Sequence, residues 1–280
     1  MRRLLQVLRT STWLGWQVEA NWADPLLFLG LAVARPLATT LILFLMVRVV
    51  APAQATSGAF LQIFLGNVFF LYVGEMLVGL SWAIFRDRED YETLKYIYLA
   101  PFHFLPYLLG RGMTRLLTAT IGVAAALLFG RFLLGLSIGA GAGSWGLALL
   151  ATACGLVAIL WLGMLLAGIA LIVARHSMNL NEGLTGIFYL LCGAVFPLEV
   201  LPRWAQSIAL ALPFTYWLEL LRRILTGRGF AGPLAGHSDG ALWAVLLAST
   251  AALAAAGLAV FAWCERIARA NGYIDRRTNY

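Results

Sequence analysis

The stretch FRDREDYETLKYIYLAP, residues 85–101, is the one polar island in a chain that is otherwise almost continuously apolar. Arg86, Asp87, Arg88, Glu89 and Asp90 are consecutive charges, followed by a short periodic segment and then Pro101. Around it, 61% of 280 residues are hydrophobic and only 12% are charged, with mean hydropathy +0.84. Soluble globular domains carry about 25% charged residues, so the composition specifies a membrane protein. A bilayer core about 30 Å thick takes about 20 apolar residues per helix. This length therefore holds six spans and leaves no room for a large soluble domain.

Working outward from the island, apolar runs place spans at about Pro25–Val50, Ala59–Phe85, Leu105–Leu134 and Trp145–Ala174, with Ala241–Cys264 last. A shorter run, Gly183–Leu198, is expected to supply a fifth crossing before EVLPRWAQSIALALPFTYWLELLRRILTG. Pro197, Pro202 and Pro213 each interrupt helix geometry there. Two readings of residues 199–227 stand: short helices that re-enter the membrane from one face, and a surface loop with amphipathic helices. The expected fold is an all-α integral membrane protein with six transmembrane helices. Residues 1–24 form an interfacial amphipathic helix, 25–264 the six-span domain and 265–280 a cytoplasmic tail.

The N-terminal run MRRLLQVLRTSTWLGWQ is broken by Arg9, so it does not read as a cleaved signal peptide. Arg2, Arg3 and Arg9 alternate with Leu4, Leu5, Leu8, Trp13 and Trp16, which suits a helix lying at the headgroup boundary. With the N-terminus inside, 13 of the 20 basic residues gather on the cytoplasmic side, including Arg86, Arg88, Lys95, Arg175, Arg276 and Arg277. Both termini and the island are then cytoplasmic. Basic residues are scattered rather than collected on one face, so nucleic acid is not an expected partner.

The island itself reads as a short docking helix at about residues 87–100. Asp87, Glu89, Asp90 and Glu92 crowd its start and Lys95 follows, matching the helix dipole; Asp90 is placed to cap it and Pro101 to stop it. Tyr91, Leu94, Ile97 and Tyr98 fall on one side at helical spacing, a stripe suited to a groove of another protein. The bland alternative is a solvated helix resting on the bilayer.

Here the chain resembles the membrane subunits of type-2 (ABC-2) ABC exporters. DYETLKYIYLAP is similar to the family's first intracellular loop, with Thr93, Leu94 and Pro101 in register. The family's usual glycine is replaced by Glu92, and Lys95 stands where Glu is frequent. Before the last span, Phe196, Pro197, Leu201, Pro202, Trp204, Pro213, Thr215 and Tyr216 match the family's FP, LP, W and P-x-TY elements. The resemblance implies a permease half whose cytoplasmic helix, the coupling helix, docks on a separate ATPase. Asp87, Arg88, Glu89, Asp90, Tyr91, Glu92, Thr93, Leu94, Lys95 and Tyr98 are its candidate docking residues, and Asp at Leu94 and Tyr98 is expected to release the ATPase. Two ATPase copies, a second permease of the same or a different chain, and membrane lipids are the implied partners. No G-x-x-x-x-G-K-[ST] cradle is present, so ATP and Mg²⁺ are expected on the partner, with no cofactor bound by this chain. The cargo class is amphipathic: a drug, glycolipid or polysaccharide. Arg-for-Lys usage and the family together imply a bacterial inner membrane.

Other signals weigh less. GAGSWG, residues 141–146, matches G-x-G-x-x-G but joins two apolar spans rather than a strand and a helix. Arg35 and Glu75 each lie ten residues, about 15 Å, inside their spans. An intramembrane ion pair is expected, because charges at that depth are costly unless paired or hydrated; structural glue and cargo contact both remain open roles. Phe69, Phe70, Tyr72, Phe196, Pro197, Phe214, Tyr216 and Trp217 read either as interfacial belts or as an aromatic path or exit gate. His103, His176 and His237 and the three cysteines show no ligand spacing. Competing functions are a Mg²⁺-dependent prenyl or phospho-alcohol transferase using Asp87 and Asp90, and a membrane assembly factor.

Overall fold

In a computed structural model, residues 2–20, 24–50, 58–139, 142–173, 177–229 and 232–275 are described, and their regular structure is helical throughout. Arg175, His176, Arg276, Arg277 and Gly141 of the glycine run lie outside them. The elements are α1 (Arg2–Ala20), α2 (Pro25–Val50), α3 (Gly58–Phe85), α4 (Leu94–Leu99), α5 (Phe104–Phe132) and α6 (Ala142–Ile172). There follow α7 (Ser177–Leu191), α8 (Arg203–Ala211), α9 (Pro213–Thr226) and α10 (Asp239–Ala270). Among the described residues five helices, α2, α3, α5, α6 and α10, are long and apolar enough to cross a membrane.

The expected fifth crossing differs. α7 starts earlier, at Ser177, and stops at Leu191 after 15 residues. At 1.5 Å per residue that is about 22 Å, short of a bilayer core about 30 Å thick. Gly193, at φ 68°, then turns the chain in a left-handed conformation open to glycine, and Pro197 keeps the helix from resuming.

Centre and periphery follow from burial. Two thirds of the α3 span is buried (67%) and 61% of α6, but only 11% of α2. α3 and α6 therefore form the axis. α5 packs on α3, α10 runs along α6, and α2 leans on α5 and α3 from outside. α1 lies against α5, with Ser11 and Gly15 buried on Gly110 and Thr114, while Leu4, Leu5, Trp13 and Leu14 stay exposed. That exposed apolar edge suits an interfacial helix; the buried edge was not foreseen.

α8 and α9 form a hairpin at one end of the bundle. Glu199, before α8, sits beside Gly232, and Leu225, near the end of α9, accepts from Gly139 N at 3.1 Å. Between them the chain reaches inward. Trp217 is fully buried against Phe69 and Tyr72 of α3 and lies on Gly155, midway along α6. Any β-carbon at Gly155 would collide with the indole ring. Pro213 at the first turn and Gly227 at φ 70° after the last give α9 sharp ends. α10 continues past the expected boundary at Cys264 to Ala270, so Glu265, Arg266 and Arg269 are helical rather than tail residues.

Candidate functional site

The charged island divides into a buried half and an exposed half. α3 does not stop at Phe85; it widens into a π-helical turn over Arg86–Asp90, closed by Tyr91 N donating to Arg86 O at 2.8 Å. Such turns recur at functional sites. Asp87 and Arg88 are each only 4% exposed. Asp87 Oδ2 accepts from Tyr107 Oη at 2.7 Å, and Oδ1 lies 3.8 Å from Arg111 Nη2. Tyr107 and Arg111 are one helical turn apart on α5, so they meet the carboxylate together. Arg88 donates to Leu171 O at 3.2 Å and Ala170 O at 3.4 Å, the last carbonyls of α6, and pairs with Glu89 at 3.3 Å.

The chain then bends at Glu92, the one non-glycine residue with positive φ (52°) among those described. A side chain there crowds the following carbonyl, at a cost of about 1–2 kcal/mol. This is the position where the resembling loop carries glycine, and the left-handed turn is the physical reason glycine suits it. α4 follows, six residues from Leu94 to Leu99, with Thr93 and not Asp90 at its N-cap. It ends two residues before Pro101, which restricts the backbone of the residue preceding it.

Of the stripe expected to face a partner, Tyr91 stays exposed while Leu94, Ile97 and Tyr98 turn inward. Leu94 is 1% exposed and Ile97 and Tyr98 pack against the core. Tyr98 stacks on Phe104 at 4.6 Å, with the Arg269 guanidinium 4.9 Å from its ring. Burial, and secondarily the Glu265 carboxylate, push the Tyr98 phenol well up from its ordinary range. The reason is geometric: a helix beneath an apolar bundle buries its aliphatic face on the spans. What it leaves outside is Asp90, Tyr91, Thr93, Tyr96 and Leu99, with Tyr96 64% and Leu99 81% exposed. Lys95 joins that rim, 3.3 Å from Asp275 and 5.6 Å from the Tyr96 ring. Tyr96 and Leu99 are three apart, a spacing legible in the sequence but masked by the longer stripe on the opposite side.

This geometry does not favour the metal-dependent transferase reading. The Asp87 oxygens face Tyr107 and Arg111, and among the described residues no group of three His, Cys, Asp or Glu side chains is placed to hold a metal ion.

The intramembrane charges converge. Arg35 Nη1 lies 3.7 Å from Glu75 Oε1, whose second oxygen is 3.9 Å from Arg115 Nη1, while Arg115 Nε is 2.8 Å from Glu19. The chain of charges links α2, α3, α5 and α1. Arg35 is 83% exposed, so it stands at the open edge of this network.

Most of the aromatic candidates are interior. Phe69, Tyr72, Phe214, Tyr216 and Trp217 are buried, and Phe70 packs at 4.9 Å on Tyr189, which donates to Asn67 at 2.7 Å. These rings are covered by the chain's own helices. Phe196, 47% exposed, and the half-buried Pro197 remain at the surface.

A site that sequence reasoning missed lies at the other end. Arg222, 2% exposed, donates to Gln62 O at 3.0 Å, Gly193 O at 2.6 Å and Ala194 O at 3.0 Å, tying α9 to α3 and to the chain just after α7. Arg223 bonds Glu219, Asp239 and the carbonyls of Leu234 and His237. The signal was LELLRRILTG, two adjacent basic residues in an apolar helix.

Comparison with known proteins adds one decisive match. The family model for the ABC-2 type transporter aligns with residues 7–226, more than three quarters of the chain. The chain belongs to the ABC-2 type transporter family. No curated protein matches it. ABC-2 membership makes the chain a multi-pass transport permease, not itself an enzyme, and the matched region takes in α1 through α9, including the island and the α8–α9 hairpin.

Proposed function

We propose that this ABC-2 permease is the membrane half of an ATP-driven exporter, and that α4 is the coupling helix on which a separate ATPase subunit docks. The observation that carries the reading is the two-sidedness of α4: its inner face is fixed to the bundle, while Tyr96 and Leu99 on its outer face, and Asp90 and Tyr91 just before it, stay exposed. Exposed aromatic and aliphatic side chains with a charged rim have the character of a helix-in-groove contact. Nucleotide-driven closure of two ATPase copies, which hold the ATP and Mg²⁺, would then move α4 and the spans joined to it as a rigid body.

A second permease subunit, the same chain or a different one, completes the path. α2, barely covered within the subunit, offers the face for it, and the exposed side of Arg35, which pairs with Glu75, lies on that helix. α7 serves as a short fifth crossing and α8–α9 as the re-entrant hairpin, giving six spans with both termini and α4 in the cytoplasm of a bacterial inner membrane. Phe196 and Pro197 lie at the outer exit, and the cargo is an amphipathic molecule.

The test is affinity purification of the tagged full chain from membranes. A P-loop ATPase accompanies the wild type, and Tyr96→Asp with Leu99→Asp removes it while the chain still elutes as a single folded species. Undiminished co-purification with that double variant refutes docking through α4.

A further inference from the structure

Docking accounts for the exposed half of the island and leaves its buried half unexplained. Asp87 and Arg88 are too deeply covered to touch a partner, yet taking ions out of water is costly before pairing. Buried ion pairs are often no more stabilising than apolar side chains of the same volume. What they add is positional demand.

Arg88 meets the end of α6, where the last carbonyls lack partners within the helix and carry the negative end of the helix dipole. Asp87 meets α5 through Tyr107 and Arg111. Both belong to the turn that ends α3, so five residues fix the ends of three spans at once. Apolar surfaces slide past one another at little cost; a guanidinium spread over two carbonyls loses its acceptors when it slides. The left-handed bend at Glu92 follows directly, and Thr93 Oγ1 donates back to Asp87 O at 3.4 Å, keeping the link to α4 short.

We infer that Asp87 and Arg88 are positioning residues that key α4 to α5 and α6, so that a push on α4 displaces α3, α5 and α6 together. The source of the push rests on the docking reading above; the keying is a property of this chain alone.

The experiment measures spin-label distances in the full chain, reconstituted in lipid nanodiscs. Cys154, Cys192 and Cys264 are replaced by Ala, and labels are placed through Leu99→Cys on α4 and Val157→Cys on α6, both exposed positions. The unaltered joint gives one narrow distance distribution. Arg88→Gln, which removes the charge from the α6 carbonyls, and Asp87→Asn, which keeps the acceptor for Tyr107 but loses the ion pair, each broaden it about twofold. Arg266→Gln, an exposed charge on α10, leaves it narrow. Two joint variants serve in case one fails to give a monodisperse chain. The distances are read on the chain alone, without an ATPase, because Leu99 lies on the proposed docking face. Distributions as narrow as wild type in both variants overturn the keying. Failure of an ATPase to co-purify bears on docking only, since these distances still decide the joint.

Discussion

At the level of single residues, the conformation of Glu92 carries a direct consequence. Its φ of 52° places it where L-residues are crowded and β-branched ones are genuine outliers. Glu92→Val should lower stability by about 1–2 kcal/mol, whereas Glu92→Gly should be tolerated; thermal unfolding of the purified variants in one detergent distinguishes them. Arg35 and Glu75 invite a second comparison. Either charge reversed alone leaves two like charges near 3.7 Å inside a span and should reduce the folded yield. Reversing both, Arg35→Glu with Glu75→Arg, should restore part of the yield, but only part, because Glu75 also serves Arg115. Independent defects without any rescue, read by fluorescence-detected size exclusion, exclude a functional pair.

For whole elements, α9 is held by one close contact and one buried cation. Gly155→Leu forces a side chain into the space of the Trp217 indole and should cost about 1–3 kcal/mol. Arg222→Met leaves the carbonyls of Gly193 and Ala194 without their donor, at about 1–3 kcal/mol for a buried unsatisfied group; thermal unfolding reads both. The five long spans were legible because runs of more than twenty apolar residues admit few alternatives. α7 was less so, since hydropathy reports composition and not where Gly193 turns the chain. The orientation of α4 was misjudged for a related reason. Periodicity shows that Leu94, Ile97 and Tyr98 share a side, but it cannot say whether that side meets a partner or the protein's own spans. Only the packing of Tyr98 on Phe104 and Arg269 decides it. Equally, a run of five charges reads as solvated, and the burial of Asp87 and Arg88 depends on Arg111 and on the end of α6, both distant in sequence.

Across the molecule, polar groups concentrate at three levels of an apolar bundle: the α3–α4 joint, the Arg35–Glu75–Arg115–Glu19 chain, and the Arg222–Arg223 knot at the opposite end. Each joins helices that apolar packing alone would leave free to slide. The joint and the knot lie at opposite ends of α3, so one helix connects the segment leading into α4 with the α8–α9 hairpin. The most direct test of α4 as the point where work enters is site-specific photocrosslinking in living cells, with benzoylphenylalanine in place of Tyr96. An adduct between this chain and a P-loop ATPase, absent when the same probe replaces Trp145 at the other end of the bundle, is the expected result. Adducts with lipid alone, or with a protein outside the cytoplasm, would contradict it.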